Sequence, residues 1–248
     1  IVTVVTAVLI QIGTNLANDY YDFVAGADTS ERLGPSRITQ AGLAAPATVR
    51  GAAIVVLAAA AVAGLWLVAV GGWPIALVGI ASLIAAVAYT GGPWPLAYHG
   101  LGDVFVFVFF GVVAVNGTVF LQTGSVTPLS LLVSLPVASL ATAILVVNNL
   151  RDIATDARAG KRTLAVRIGE RATRLQYLAL VIAPFVVVPI LAGAIGTSVL
   201  VALAALPFAV REGRALWQRS GAALNASLAG TAKLHVIFGV LLAVGLLA

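Results

Sequence analysis

Between Gly51 and Val70 the chain runs twenty residues without a charged side chain. Seven other stretches come close to it: 1–18, 74–90, 104–121, 129–147, 176–193, 197–210 and 234–248. A helix crossing the hydrocarbon core of a bilayer needs roughly 20 mainly apolar residues. The sequence therefore predicts an all-α, polytopic transmembrane helix bundle with eight helices in this chain. Gly193 to Thr197 supplies the turn that parts the sixth helix from the seventh. Composition agrees: 61% of residues are hydrophobic and 9% charged, against about 25% charged in an ordinary soluble domain. A soluble enzyme, a disordered chain and a nucleic-acid-binding domain are all excluded, despite the basic balance of 14 Lys and Arg against 9 Asp and Glu.

The distribution of those few charges is informative. The gaps 19–50, 91–103, 148–175 and 211–233 are polar, and all 14 Lys and Arg residues fall within them. The gaps 71–73, 122–128 and 194–196 carry no charge. Positive charge marks the cytoplasmic side, so the charged loops are expected inside and Ile1 outside. The chain has no cysteine and no methionine. There is no disulfide framework or thiol chemistry to consider, and the sequence reads as a piece that starts inside or just before a membrane span. Residues 1–248 are expected to form a single transmembrane domain.

The nine acids share the side of the cations. Two clusters stand out. In the first, N15-L-A-N-D-Y-Y-D22, Asn15, Asp19 and Asp22 share a helix face, and Asn18 and Asp22 stand one turn apart. Asp28 and Glu31 follow. In the second, Asn148, Asp152 and Asp156 step by four. Each cluster leads into glycine and cations: Gly34-Pro35-Ser36-Arg37 after the first, Gly160-Lys161-Arg162 after the second. Three spans separate the two helices, which lets the stripes face one another. Acids near a membrane edge are functional by default. Hard oxygen donors select Mg²⁺, which is held by one or two carboxylates plus substrate phosphates, and Arg and Lys hold phosphate oxygens. The pattern points to Mg²⁺ and a diphosphate whose tail lies in lipid. The structural alternative is that such acids merely cap or flank helices, and Asp103 after Gly102 reads as an N-cap.

At these residues the sequence resembles the UbiA superfamily of intramembrane prenyltransferases, marked by an N-x-x-x-D cluster (Asn18 to Asp22) and a D-x-x-x-D cluster (Asp152 to Asp156). Within it the chain is similar to the MenA-type branch, which prenylates 1,4-dihydroxy-2-naphthoate in menaquinone synthesis. The similarity runs through Q11-I-G-T-N-L-A-N-D-Y-Y-D22, G34-P-S-R-I-T-Q-A-G42, Y89-T-G-G-P-W-P-L-A-Y98, G100-L-G-D-V-F-V-F-V-F-F-G111, the block 148–169 and L224-N-A-S-L-A-G-T-A232. The family fold has nine helices, so the resemblance implies that the first is missing here.

The resemblance also implies a site. Mg²⁺ would be bridged by Asn18, Asp22, Asp152 and Asp156, with Asp19 as a further catalytic acid. Lys161, Arg162 and Arg37 would meet phosphate oxygens, and Asn15, Asn149, Tyr98 and His99 would line the substrate site. Relatives often carry a cation where this chain has only His99. The partners implied are a polyprenyl diphosphate, the naphthoate and the bilayer, with the active site on the cytoplasmic side of a prokaryotic cell membrane. Tyr20, Tyr21, Tyr89 and Tyr98 could shield an allylic cation by cation–π attraction. Against this, the commoner use of residues such as Tyr89, Tyr98, Trp73 and Trp94 is as interfacial anchors. Asn116 reads either as a cross-link between helices, the favoured reading, or as a substrate contact, and His235 is expected to be a packed polar residue. Arg167, Arg171, Arg174 and the arginines of 211–219 are expected to set topology and meet anionic lipid. Three alternatives stand beside this reading. One is another acceptor within the superfamily, such as 4-hydroxybenzoate, homogentisate or haem. A second is a secondary transporter, which the charge-free mid-spans disfavour. The third is a CDP-alcohol phosphotransferase, whose D-G-x-x-A-R signature is absent.

Overall fold

The computed structural model describes residues 1–29 and 32–248. Glu31 of the first acidic cluster lies outside the described residues. No strand occurs among the described residues, and the helices are α1 (Val2–Val24), α2 (Pro46–Gly71), α3 (Trp73–Ala88), α4 (Gly102–Val106), α5 (Ala114–Thr123), α6 (Pro128–Arg158), α7 (Leu164–Ile195), α8 (Leu206–Gln218) and α9 (Leu224–Leu247). A π-helical stretch, Phe107–Val113, joins α4 to α5 as one rod, Gly102–Thr123. Eight helical rods result among the described residues, as the apolar runs predicted.

Among the described residues, five rods are long and apolar enough to cross a membrane: Pro46–Gly71, Gly102–Thr123, Pro128–Arg158, Leu164–Ile195 and Gly221–Leu247. The protein is an integral membrane protein. α3 is as apolar but shorter, and α1 carries the polar stripe of Gln11, Asn15, Asn18, Asp19 and Asp22. Along α2, Ile54, Val55, Val62, Leu65 and Trp66 are exposed. Lipid is the solvent that makes such a surface stable.

Three expected boundaries are corrected. The polar segment 148–175 is helical except at 159–163, and α7 is interrupted at Gly169. The segment 211–233 is largely the end of α8 and the start of α9. Charge there marks where a helix leaves lipid, not where it ends, because a helix continues into water wherever its backbone bonds continue. The seventh apolar run begins as a 3₁₀ helix, Thr197–Ala205, before α8 takes over.

The fold divides into two compact units. The first comprises Ile1–Gly102, Gly117–Ser125 and Ala154–Thr163. Its α1 packs along α2, with α3 against both. The second comprises Asp103–Asn116, Val126–Ile153 and Leu164–Ala248. Its core joins Leu140, Val146 and Val147 of α6 to Tyr177 and Leu191 of α7 and to Leu234 and Phe238 of α9. Asn116 cross-links helices as expected, accepting from Ser130 Oγ at 2.7 Å while its own amide donates to Val112 O at 2.9 Å. In the π stretch Gly111 meets the backbone of α6 so closely that a Cβ would overlap Ala138. Small residues at such crossings let helices approach in lipid.

Gly111→Ala is expected to destabilise the protein by about 1–3 kcal/mol through overpacking, read as a lower unfolding temperature in detergent. Gly117→Ala, whose added Cβ meets nothing within 4 Å, leaves that temperature unchanged or raises it.

Candidate active site

The C-terminal part of the α1 stripe is buried. Asn18 is 9% exposed, Asp19 4% and Asp22 3%. Thr90 Oγ1 donates to Asn18 Oδ1 at 2.7 Å. Asp22 receives two donors. Tyr98 Oη donates to Oδ1 at 3.0 Å, and Lys161 Nζ lies 3.2 Å from Oδ2 and 3.4 Å from Oδ1. The same ammonium sits 5.3 Å from the centre of the Tyr98 ring. Burial, then the charge of Asp22, holds the Tyr98 hydroxyl well above the ordinary phenol value, so Tyr98 is a neutral donor throughout the physiological range.

Lys161 reaches this place because α6 ends in a tight reversal. Its backbone N–H donates to Asp156 O at 2.8 Å, and Gly160 adopts φ +73°, a conformation glycine takes without strain. Arg162 N then donates to Tyr98 O at 3.2 Å, tying the reversal to the short 3₁₀ turn Ala97–His99. The last turn of the second motif, with Asp156, thus belongs to the same compact unit as Asn18 and Asp22. Asp156 also acts on Tyr98, raising its pKa in the same sense as Asp22.

Asp19 has a different surrounding. Oδ2 accepts from Ile38 N at 2.8 Å and Oδ1 from Thr39 N at 3.1 Å. Arg37 places Nη1 3.4 Å from Asn15 O and Nε 3.6 Å from Asp28 Oδ2. Asn15 itself is exposed, so its backbone carbonyl takes part here. Asp28 pairs with Arg32 as well. Burial raises its pKa above the usual carboxylate range, and Arg32 opposes that shift. His99 stacks on Trp94 at 4.2 Å, with Nδ1 2.9 Å from Pro95 O.

The second unit holds the rest of the second motif. Arg151 donates to Asp152 through Nε (2.8 Å) and Nη2 (2.6 Å), to Asn148 Oδ1 at 2.7 Å and to Asn225 Oδ1 at 2.6 Å. Arg151 is 3% exposed and Asp152 7%. Asp103 is no N-cap: it lies inside the first turn of α4 and accepts from Asn149 at 3.3 Å and Gln176 at 2.9 Å. Arg174 is not a lipid-facing cation either. It is buried, bonded to Glu170, to the carbonyl of Leu216 and to Arg219 O at 2.8 Å. His235 is a packed polar residue as expected, with Nδ1 buried and without a hydrogen bond.

Sequence reasoning brought forward the two motifs, Tyr98, Lys161 and Arg37. It passed over Thr90, Arg151, Gln176 and Asn225. Each of these is a polar side chain beside a motif or in an apolar helix, and that was the available signal.

Among the described residues, no group of three or more Asp, Glu, His or Cys side chains gathers as a self-sufficient metal cage. The donors that do gather are hard oxygens, and a cation already lies against Asp22. That set suits a Mg²⁺ ion completed by substrate phosphates and water.

The chain matches the UbiA prenyltransferase family over residues 1–246. It belongs to that family and is a prenyltransferase. It is 39% identical over 244 residues to a 1,4-dihydroxy-2-naphthoate octaprenyltransferase of Mycobacterium leprae, covering 98% of this chain and 82% of that protein. It is 34% identical over 242 residues to the Bacillus subtilis protein of the same name, covering 96% and 78%. With the Mycobacterium tuberculosis protein of that name the identity is 47% over 172 residues, which covers 69% of this chain and 58% of that protein.

Replacing Arg151 by Met leaves Asp152 without its bidentate partner. It is expected to cost about 3–5 kcal/mol, the range for breaking a buried pair. Thermal unfolding in detergent checks this, and the double variant Arg151→Met/Asp152→Leu should regain much of the lost stability.

Proposed function

We propose that the chain transfers an all-trans polyprenyl group from polyprenyl diphosphate to 1,4-dihydroxy-2-naphthoate, with loss of CO₂, in menaquinone synthesis. The observation that carries this reading is the meeting of Lys161 with Asp22 beside Tyr98. A cation that follows the second motif reaches a carboxylate of the first, the arrangement a diphosphate with its counter-ion needs. The activity for which the Mycobacterium and Bacillus relatives are named supports the naphthoate as acceptor.

Asn18, Asp22 and Asp156 would hold Mg²⁺, and Asp152 would join them once Arg151 releases one of its two oxygens. The ion, when bound, supplies positive charge where the leaving diphosphate gathers negative charge. Lys161 is the counter-ion of Asp22 before substrate binds and turns to a phosphate oxygen afterwards, with Arg162 beside it. Tyr98 keeps Asp22 in place by donating to Oδ1 and offers its ring face to positive charge. The prenyl C–O bond breaks and its electron pair leaves with the diphosphate. Apolar helix surfaces keep the allylic cation from water. The electron-rich ring attacks that carbon, and departure of the carboxylate as CO₂ restores aromaticity. Arg37 or His99 orients the carboxylate before it leaves. The reaction takes place at the cytoplasmic face of a prokaryotic cell membrane, the side on which the cations are gathered.

Membranes containing the protein, Mg²⁺ and labelled polyprenyl diphosphate, offered a panel of aromatic acceptors, are expected to prenylate the naphthoate. Prenylation of 4-hydroxybenzoate or homogentisate with the naphthoate ignored would replace this acceptor by another within the family.

Asp22→Asn and Asp156→Asn should each lower turnover by at least ~100-fold, the scale of losing electrostatic stabilisation at a leaving group. Membrane insertion should be unchanged. Full activity in either variant would remove the metal–diphosphate reading.

A further inference from the structure

Asp19 sits among residues read as metal ligands, yet its surroundings give it another task. Both oxygens of its buried carboxylate accept backbone N–H groups, from Ile38 at 2.8 Å and Thr39 at 3.1 Å. The segment they belong to is one compact turn, closed by Ala41 N to Arg37 O at 2.9 Å and Leu43 N to Ile38 O at 3.0 Å. The amides at the start of such a turn have no carbonyl of their own, so a carboxylate aimed at them acts as a cap. Here the cap comes from a different helix, and its bonds are charge-assisted. A carboxylate engaged in this way must release an amide before it can bind a cation well.

The residue just before the capped amides is Arg37. Its guanidinium lies along α1, 3.4 Å from Asn15 O through Nη1 and 3.6 Å from Asp28 Oδ2 through Nε. Asp28 is buried, and its own N–H donates to Asp22 O at 3.3 Å at the end of α1. Asn15, Asp19 and Asp22 stand on one face of α1, so Asp19 fixes the backbone from which Arg37 extends to the Asn15 carbonyl and to Asp28.

We propose that Asp19 is a positioning residue that caps the 37–43 turn from α1 and thereby sets Arg37 to meet an anionic group of a substrate, and that it is not a metal ligand. This rests on the reading of the site as a metal–diphosphate centre for its substrate, but not for its account of the turn. The anionic group is either the diphosphate or the carboxylate of the aromatic acceptor.

The absence of cysteine in the chain allows a direct test. Thr39 is 4% exposed and its Oγ1 makes no hydrogen bond, so Thr39→Cys loses no partner and its thiol reports whether the turn is seated. Maleimide labelling of that thiol is expected to be slow when Thr39→Cys is the only substitution. With Asp19→Asn added it should be at least ~10-fold faster, because Asn accepts only one of the two N–H groups and turns its NH₂ towards the other, a loss on the scale of one charged hydrogen bond. In the same membranes Asp19→Asn and Arg37→Ala should each raise KM for the same anionic substrate, with the double variant no worse than the poorer single one. Titrating diphosphate and acceptor separately shows which substrate Arg37 meets. The Mg²⁺ concentration for half-maximal activity should stay at the parent value in Asp19→Asn and rise in Asp22→Asn.

Unchanged labelling of the introduced thiol, additive effects of the two substitutions, or a Mg²⁺ shift in Asp19→Asn matching that of Asp22→Asn would each overturn the proposal. If Asp22→Asn leaves the Mg²⁺ response unaltered, the metal reading of the site fails, while the thiol labelling still decides the role of Asp19.

Discussion

Among the described residues, a buried acid has a partner built for it. Helix surfaces given over to lipid cannot solvate an ion, and a buried unpaired charge costs several kcal/mol. Each described buried carboxylate accordingly has donors at hand. Asp22 has Tyr98 and Lys161, Asp19 has two backbone amides, and Asp152 has the fork of Arg151. Asp103 has two side-chain amides and Glu212 has Arg211. The fold is arranged around these pairings. Where α1 ends, where α6 reverses and where α8 returns to α9 are all places at which a cation or amide has to reach an acid.

That requirement explains how different neighbouring acids become. Asp19 and Asp22 lie three residues apart on one helix, yet one faces the backbone of a turn and the other a phenol and an ammonium. Asp152 and Asp156 lie one turn apart on α6, yet Asp152 is clamped by Arg151 and Asp156 stands near Tyr98. Motif spacing puts such residues on a common face but says nothing about which of them is already engaged. Availability for a metal or phosphate is set by the neighbours.

The rods were legible because lipid imposes a length and a polarity on each of them, and all eight apolar runs correspond to helices. The ends of the helices were not, because the cations of 148–175 and 211–233 look the same in a loop as on a helix, and α6, α7, α8 and α9 carry most of them past the apolar zone. Lys161, Tyr98 and Arg37 could be picked out because each is a polar side chain near a motif. Arg151 was harder to read. A cation next to an acid in sequence ordinarily projects about 100° away from it around a helix, and only tertiary burial with Asn148 and Asn225 folds its side chain back onto Asp152. Arg174 misled for the opposite reason. It lies in a row of arginines that suits a membrane surface, but it staples two chain segments together.

The widened turn between Phe107 and Val113 has a geometric consequence. A π-helical turn holds one residue more than an α-helical turn, and one residue is worth about 100° of rotation. Asp103 before the turn and Asn116 after it therefore do not stand in the angular relation that an uninterrupted α-helix of the same length would impose. The extra residue works as a phase shift. It resets the direction from which Asn116 meets Ser130 near one end of the rod, by about 100° relative to a strict 3.6-residue repeat, while Asp103 near the other end meets Asn149 and Gln176.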